Sequence, residues 1–244
     1  LTVASRLASI GTLVAGVAHE VNNPLGGAIA SHGFSTEEVA RIRDQLRSGE
    51  PLDREAAARR LDEVLDALDD AASGEQRVAT IVKDLTLLGR SGVRKDRVVL
   101  AQVVKGAMRW IPSSLLNRAA IQVQGGEAPD VAGSPGQLEQ VVANLIVNAI
   151  HATPEGRSAL VRVRLGEGAP GFSRLEVADD GVGMTPEVMA RMFDPFFTTR
   201  GVGQGMGLGL AICHAIVTAH GGTISATSQP GKGTTIQVDL PQAT

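Results

Sequence analysis

Near the start of the chain the apolar positions Val3, Leu7, Ile10, Val14, Val17 and Val21 step by 4, 3, 4, 3 and 4 residues. That is the spacing of a coiled-coil seam on a long helix. The pattern predicts one helix over residues 1 to about 47, bent at Pro24, whose ring clashes with the carbonyl four residues back and which has no N–H to donate. Gly33 is a weak point inside it, where the helix could break near Ser31–Ser35. Ser48-Gly49-Glu50-Pro51 is a turn signal, and Asp53 can cap a second helix. That helix carries Leu61, Val64, Leu68, Ala71, Val78, Val82 and Leu85 on one side and runs to about Arg90. Two long amphipathic helices joined by a short turn form an antiparallel hairpin. One hairpin cannot cover its own seam, so two copies are expected to pair into a four-helix bundle.

The pattern changes after Ser91-Gly92. From Arg97 onward short β-like runs alternate with helices. Strands are predicted at Val98–Leu100, Ala120–Val123, Ala159–Leu165 and Ser173–Ala178, the last two joined by a hairpin loop over Gly166–Gly171. A helix opens at Ser134-Pro135 and runs to about Ala152, and a short one covers Pro186–Phe193. Residues 194–206 read as a Gly- and Thr-rich loop, Gly207–His220 as a helix ended by Gly221-Gly222. Strands Thr223–Ser228 and Thr234–Leu240 flank the turn at Pro230-Gly231-Lys232-Gly233. The fold class is therefore α+β: an N-terminal helical hairpin over residues 1–91, then an α/β sandwich of helices over a mixed sheet across residues 97–244.

Composition narrows the function classes. The 244 residues are 43% hydrophobic, enough to bury a core, and no apolar run is long enough to span a bilayer. A formal net charge of −3 argues against a dedicated nucleic-acid binder, and 2% aromatics with no tyrosine argue against base stacking on an aromatic platform. Cys213 is the single cysteine, so neither an intramolecular disulfide nor a cysteine metal cluster is expected, and a reducing cytoplasmic setting fits. The chain starts directly in a helical pattern with no signal peptide, which reads as a piece of a longer protein without membrane contact of its own.

Four stretches carry candidate chemistry. With the seam lettered a and d, His19 falls at f, furthest from the partner helix, beside Glu20 and one turn from Asn23. By position alone it is a solvated histidine. Asn144 and Asn148 share a helix face with His151 one turn further along. An amide oxygen can ligate a hard cation such as Mg²⁺, and His151 can meet a phosphate. Asp179-Asp180-Gly181-Val182-Gly183-Met184 follows a strand: a carboxylate there can accept a hydrogen bond from an exocyclic amine such as that of adenine, and Gly181 and Gly183 remove side chains where a ligand must approach the backbone. Gly203-Gln204-Gly205-Met206-Gly207-Leu208-Gly209-Leu210 leads free N–H groups into a helix N-terminus, which attracts phosphate. It is neither a Walker loop nor a dinucleotide fingerprint, since no Gly-Lys-Ser/Thr follows and no strand runs straight into it.

Each stretch is modest alone; their order and spacing together resemble the catalytic core of bacterial sensor histidine kinases over essentially the whole chain. His19-Glu20-Val21-Asn22-Asn23-Pro24 resembles the H box and Asn144–Ala149 the N box. Asp179–Met184 resembles the first glycine box, Met192–Thr199 the F box, Gly205–Leu210 the second glycine box and Gly231–Thr235 the closing glycine turn. The forms of the H box and the F box are similar to the nitrogen-regulator branch. The resemblance implies a dimerisation and phosphoacceptor hairpin followed by a Bergerat-type ATP-binding domain, a homodimer, and a response regulator receiver domain as partner. It implies His19 as phosphoacceptor, Glu20 as general base, Asn148 as Mg²⁺ ligand, and Asn144 and His151 at the phosphates. It further implies Asp179 at the adenine amine, with Gly181, Gly183, Met184, Phe193, Gly203, Gly205, Gly207, Leu208, Gly209 and Thr234 also among the ATP-binding residues. Residues 194–206 would be a mobile lid closing on the triphosphate, with Thr198, Thr199 and Arg200 near it. Asn23 matches the position that aligns a water for regulator dephosphorylation in related kinases. Two rival readings stand beside this: a hydrolytic ATPase of the gyrase, chaperone or mismatch-repair type, and a non-catalytic dimeric scaffold. The first needs a water-activating Glu where this chain has Asn144.

Overall fold

The computed structural model describes residues 3–49, 53–88, 96–126, 128–201 and 207–243, and for residues 3–16, 19, 20, 80 and 83–88 it describes the backbone alone. The chain divides into two compact units, Leu1–Thr86 and Leu87–Thr244.

The first unit is two helices, α1 (Val3–Ser48) and α2 (Arg54–Leu88). The buried positions of α1 include Ala28, Ser35 and Ile42, seven apart, continuing the register of Leu7, Val14 and Val21 through Pro24. The helix runs unbroken through Ser31–Ser35, where the sequence pattern allows a break. The Ser35 hydroxyl donates to the Ser31 carbonyl at 2.9 Å and Thr36 to that of His32 at 2.8 Å, so these side chains bond back onto their own helix instead of ending it. Asp53 caps α2: its Oδ1 accepts the N–H groups of Glu55 at 3.0 Å and Ala56 at 3.1 Å. Val64, Ala71 and Ile81 of α2 are buried. Gly74 lets the helices approach, since a Cβ there would lie 2.8 Å from the Pro24 carbonyl oxygen. Beside it, His32 Nε2 meets Glu75 Oε1 at 2.9 Å.

The second unit is a two-layer sandwich. Its five-stranded sheet runs in the order β2 (Ala119–Gly125), β4 (Ala159–Glu167), β5 (Phe172–Asp179), β7 (Gly233–Pro241) and β6 (Thr223–Gln229). Only the β2–β4 pair is parallel. Helices α3 (Leu100–Ala107), α5 (Pro135–His151) and α7 (Gly209–Ala219) cover one face. Alternation along the strands makes this possible: Val161, Val163, Leu175, Val177, Ile236 and Val238 point into the core, while Arg174 and Asp239 pair on the open face at 2.8 and 3.0 Å. Two short helices, α4 (Ser113–Leu116) and α6 (Pro186–Arg191), lie in the connections.

Several boundaries differ from the sequence reading. The strand expected at Val98–Leu100 is β1 (Asp96–Val98), paired with the unforeseen β3 (Val131–Gly133). Leu100 instead opens α3, because Leu100, Val103, Val104 and Ala107 bury one helical face. Helix α7 begins at Gly209 rather than Gly207: Gly207 has φ of 66°, a left-handed conformation no α-helix contains.

Candidate nucleotide site

Helix α5 supplies one wall. Its interior is Leu138, Val141, Val142, Leu145, Ile146, Ala149 and Ile150, which leaves Asn144 and Asn148 half-buried on an adjoining stripe. They face the start of α7. Asn144 Nδ2 donates to the Gly209 carbonyl at 3.4 Å, and a Cβ on Gly209 would lie 3.6 Å from Asn148 Nδ2. Leu208 itself is in the core, so only its backbone could serve a ligand.

His151 and Arg200 close the next side. Arg200 Nη1 donates to His151 Nδ1 at 3.0 Å and Nη2 to Asn148 Oδ1 at 3.3 Å. Guanidinium only donates, so His151 is neutral with its proton on Nε2. Partial withdrawal from water, then the charges of Arg200 and Arg118, hold the His151 pKa below its ordinary value. Burial likewise lowers that of Arg200. Arg118 carries no motif; it enters only through the fold.

The described ends of the loop expected over residues 194–206 meet at a defined point. Phe196, the one described non-glycine residue with positive φ, donates its N–H to the Gly207 carbonyl at 3.1 Å. A Cβ on Gly207 would sit 2.5 Å from Phe197 O, so the two ends cross at a point only glycine fits. Thr198 and Thr199 are exposed, and Thr198 Oγ1 accepts the Arg200 N–H at 3.1 Å. Phe193 packs against the core with its ring 5.3 Å from that of His214. Gly203 and Gly205 lie outside the described residues, and so do the side chains of His19 and Glu20.

The two adjacent carboxylates at the end of β5 differ in role. Asp180 is tied to Arg157 and to the Leu160 N–H. Asp179 uses one oxygen, Oδ1, for the N–H groups of Gly181 at 2.8 Å and Thr234 at 3.2 Å. Its Oδ2 makes no hydrogen bond among the described residues. Burial raises the Asp179 pKa, opposed by the two backbone N–H donors. Behind it the glycine box and the closing turn touch backbone to backbone: Cβ atoms on Gly183 and Gly233 would each come within 2.1 Å of a carbonyl, those of Gln229 and Asp179. Met184 packs its side chain on the core and donates its N–H to Ser228 Oγ at 2.8 Å. Ser228 had no signal in the sequence, since it meets Met184 only across 44 residues of chain.

Among the described residues no cluster of three or more His, Cys, Asp or Glu side chains could hold a metal. A hard cation would rest on the Asn148 amide oxygen, which already accepts from a cationic group, together with phosphate oxygens of a ligand.

The second unit thus carries a half-buried amide pair, the start of a helix, a neutral imidazole and a carboxylate with one unused oxygen on an α/β sandwich. Residues 133–244 match the family of histidine kinase-, DNA gyrase B- and HSP90-like ATPases. The sensor histidine kinase ZraS of Klebsiella oxytoca is 33% identical over 97% of this chain, which spans 47% of that relative. The C4-dicarboxylate transport sensor protein DctB of Rhizobium meliloti is 33% identical over 100% of the chain, which spans 36% of it. The mycobacterial sensor histidine kinase MprB, a solved structure, matches 60% of this chain and 97% of its own at a TM-score of 0.53 and 28% identity. Histidine kinase ThkA, solved with response regulator protein TrrA, matches 98% of this chain and 64% of its own at a TM-score of 0.64; at 21% identity that likeness speaks for the fold of both units. Over nearly its whole length the chain resembles these sensor kinases, and it carries the catalytic core of a two-component histidine kinase.

Proposed function

We propose that the chain binds Mg·ATP in its second unit and transfers the γ-phosphoryl group to His19, from which the group passes to an aspartate of a response regulator. The observation that carries this reading is the convergence of Asn144, Asn148, His151, Arg200 and the start of α7, with Asp179 held so that Oδ2 remains for a base. Asn148 would hold Mg²⁺ through its amide oxygen, and the ion, when bound, neutralises charge on the phosphates. Arg200 and the His151 Nε2–H are donors for phosphate oxygens. Asp179 accepts from the adenine amine. An imidazole nitrogen of His19 attacks the γ-phosphorus, Glu20 takes the proton, and the bond to the ADP oxygen breaks.

Asn144 favours transfer over hydrolysis. Its amide cannot act as a base for water, and its nitrogen is engaged by Gly209. Phosphoryl transfer asks the protein mainly for positioning and charge compensation, which these residues supply.

A homodimer through the hairpin fits the same reading. Ile29 at 63%, Leu65 at 61% and Leu46 at 61% exposure, with Leu61, Leu68 and Val82, leave apolar surface on α1 and α2 that a second copy would cover. No described helix is long and apolar enough to cross a membrane. A cytoplasmic setting supplies ATP and keeps Cys213 reduced.

Incubation with γ-labelled ATP and Mg²⁺ is expected to give an acid-labile, base-stable phosphoprotein. Asn148→Ala is expected to reduce labelling at least tenfold. Labelling that survives acid, or is unchanged in Asn148→Ala, would contradict this reading.

A further inference from the structure

We propose that Ser228 is a positioning residue for base recognition, the group that makes the site select adenine over guanine nucleotides. The inference rests on Asp179 being the base-reading carboxylate. Ser228 Oγ accepts the Met184 N–H at 2.8 Å, donates to the Gly233 carbonyl at 3.0 Å and lies 2.9 Å from Thr234 Oγ1. A serine hydroxyl has one proton. With that proton on Gly233 O, the Thr234 hydroxyl must donate to Ser228.

The consequence reaches the base pocket. Thr234 is buried, its N–H is committed to Asp179 Oδ1, and its hydroxyl proton is committed to Ser228. What Thr234 Oγ1 offers a ligand is therefore a lone pair. The carboxylate that the Thr234 N–H meets is that of Asp179, whose Oδ2 is also an acceptor. Two acceptors on residues joined by that bond suit an exocyclic amine and repel a carbonyl oxygen, the difference between adenine and guanine at that edge. The same Ser228 bonds the Met184 backbone and so ties the glycine box to the closing turn, where Gly231 N–H also donates to Val182 O at 2.7 Å. Removing the Ser228 hydroxyl frees the Thr234 rotor to donate, which turns one of the two acceptors into a donor that guanine can use.

The test is equilibrium binding of ADP and GDP, with Mg²⁺, to the full chain. Ser228→Ala is expected to weaken ADP about tenfold and to lower the ADP-to-GDP preference by a similar factor, the scale of one well-aligned hydrogen bond. Ser228→Thr, which keeps the hydroxyl, should restore the preference. Ser228→Cys, with a weaker acceptor of similar size, should fall between and keeps the test open if the alanine variant does not fold. An unchanged preference in Ser228→Ala or Ser228→Cys overturns the proposal, as does an equal loss of both nucleotides. Asp179→Asn is run alongside: if it too leaves ADP binding intact, the assignment of Asp179 fails and Ser228 with it. If Asp179→Asn loses ADP while Ser228→Ala does not, the Ser228 proposal alone falls.

Discussion

Two side chains of the candidate nucleotide site have protonation equilibria shifted by the fold, and each shift gives a measurable sign. Burial raises the Asp179 pKa, so at neutral pH its charge is less stable in the folded chain than in the unfolded one. Asp179→Asn keeps an oxygen for the Gly181 and Thr234 N–H groups and removes that cost. It should therefore leave the melting temperature unchanged or higher while ADP affinity falls at least tenfold; a lower melting temperature with normal affinity would contradict this. The His151 pKa is lowered, so the unfolded chain takes up a proton first as pH falls through 6.5, the ordinary histidine value. Stability linked to His151 is thus fully present above pH 6.5 and is lost below it. By NMR the ring should titrate below 6.5 in the nucleotide-free protein and move upward in Arg200→Ala. A midpoint at or above 6.5, or no change in the variant, would remove the Arg200 contact from the account.

The elements are set against one another by groups that no motif announces. His220 ends α7 fully buried; its Nδ1 donates to the Ile216 carbonyl at 2.8 Å, and its Nε2 accepts the Ser134 N–H at 3.0 Å. Ser134 is the N-cap residue of α5, and its own side chain makes no capping bond. The imidazole thus does a cap's work from 86 residues away and fixes where α5, with Asn144 and Asn148, begins relative to α7. Gly133 makes room: a Cβ there would lie 2.6 Å from the ring. His220→Ala should cost about 2–4 kcal/mol in urea denaturation, from the cavity and the orphaned N–H together. A loss under about 0.5 kcal/mol would show that the ring only fills space.

At the scale of the whole chain the hairpin is the incomplete part. The apolar residues left exposed on α1 and α2 predict a dimer in sedimentation, and Leu65→Glu should yield a folded monomer because Leu65 is 61% exposed within one chain. Val64→Glu, at a position 4% exposed, should unfold the hairpin instead. A wild-type monomer would contradict the paired hairpin. The same hairpin was legible in sequence from the seam of Val3 to Val21, the turn at Ser48–Pro51 and the apolar stripe from Leu61 to Leu85, whereas the run of that register on to Ala28, Ser35 and Ile42 came from their burial. Strand alternation and the Ser134-Pro135 helix start were legible for the same reason: local periodicity and local turn chemistry. The three-residue strands β1 and β3, the Ser228 contact and the His220 cap were not, because each depends on partners brought together only by folding. Asp179 stood out by motif, but its distinction from Asp180 came only from which backbone N–H groups each carboxylate meets. The proposed reaction moves phosphate from bound ATP to one imidazole of the hairpin. Tandem mass spectrometry of the full chain, after brief incubation with Mg·ATP and digestion at alkaline pH, tests it directly. The phosphoryl group should map to His19 and vanish in His19→Gln; phosphate on any other residue, or persisting in that variant, would contradict the account.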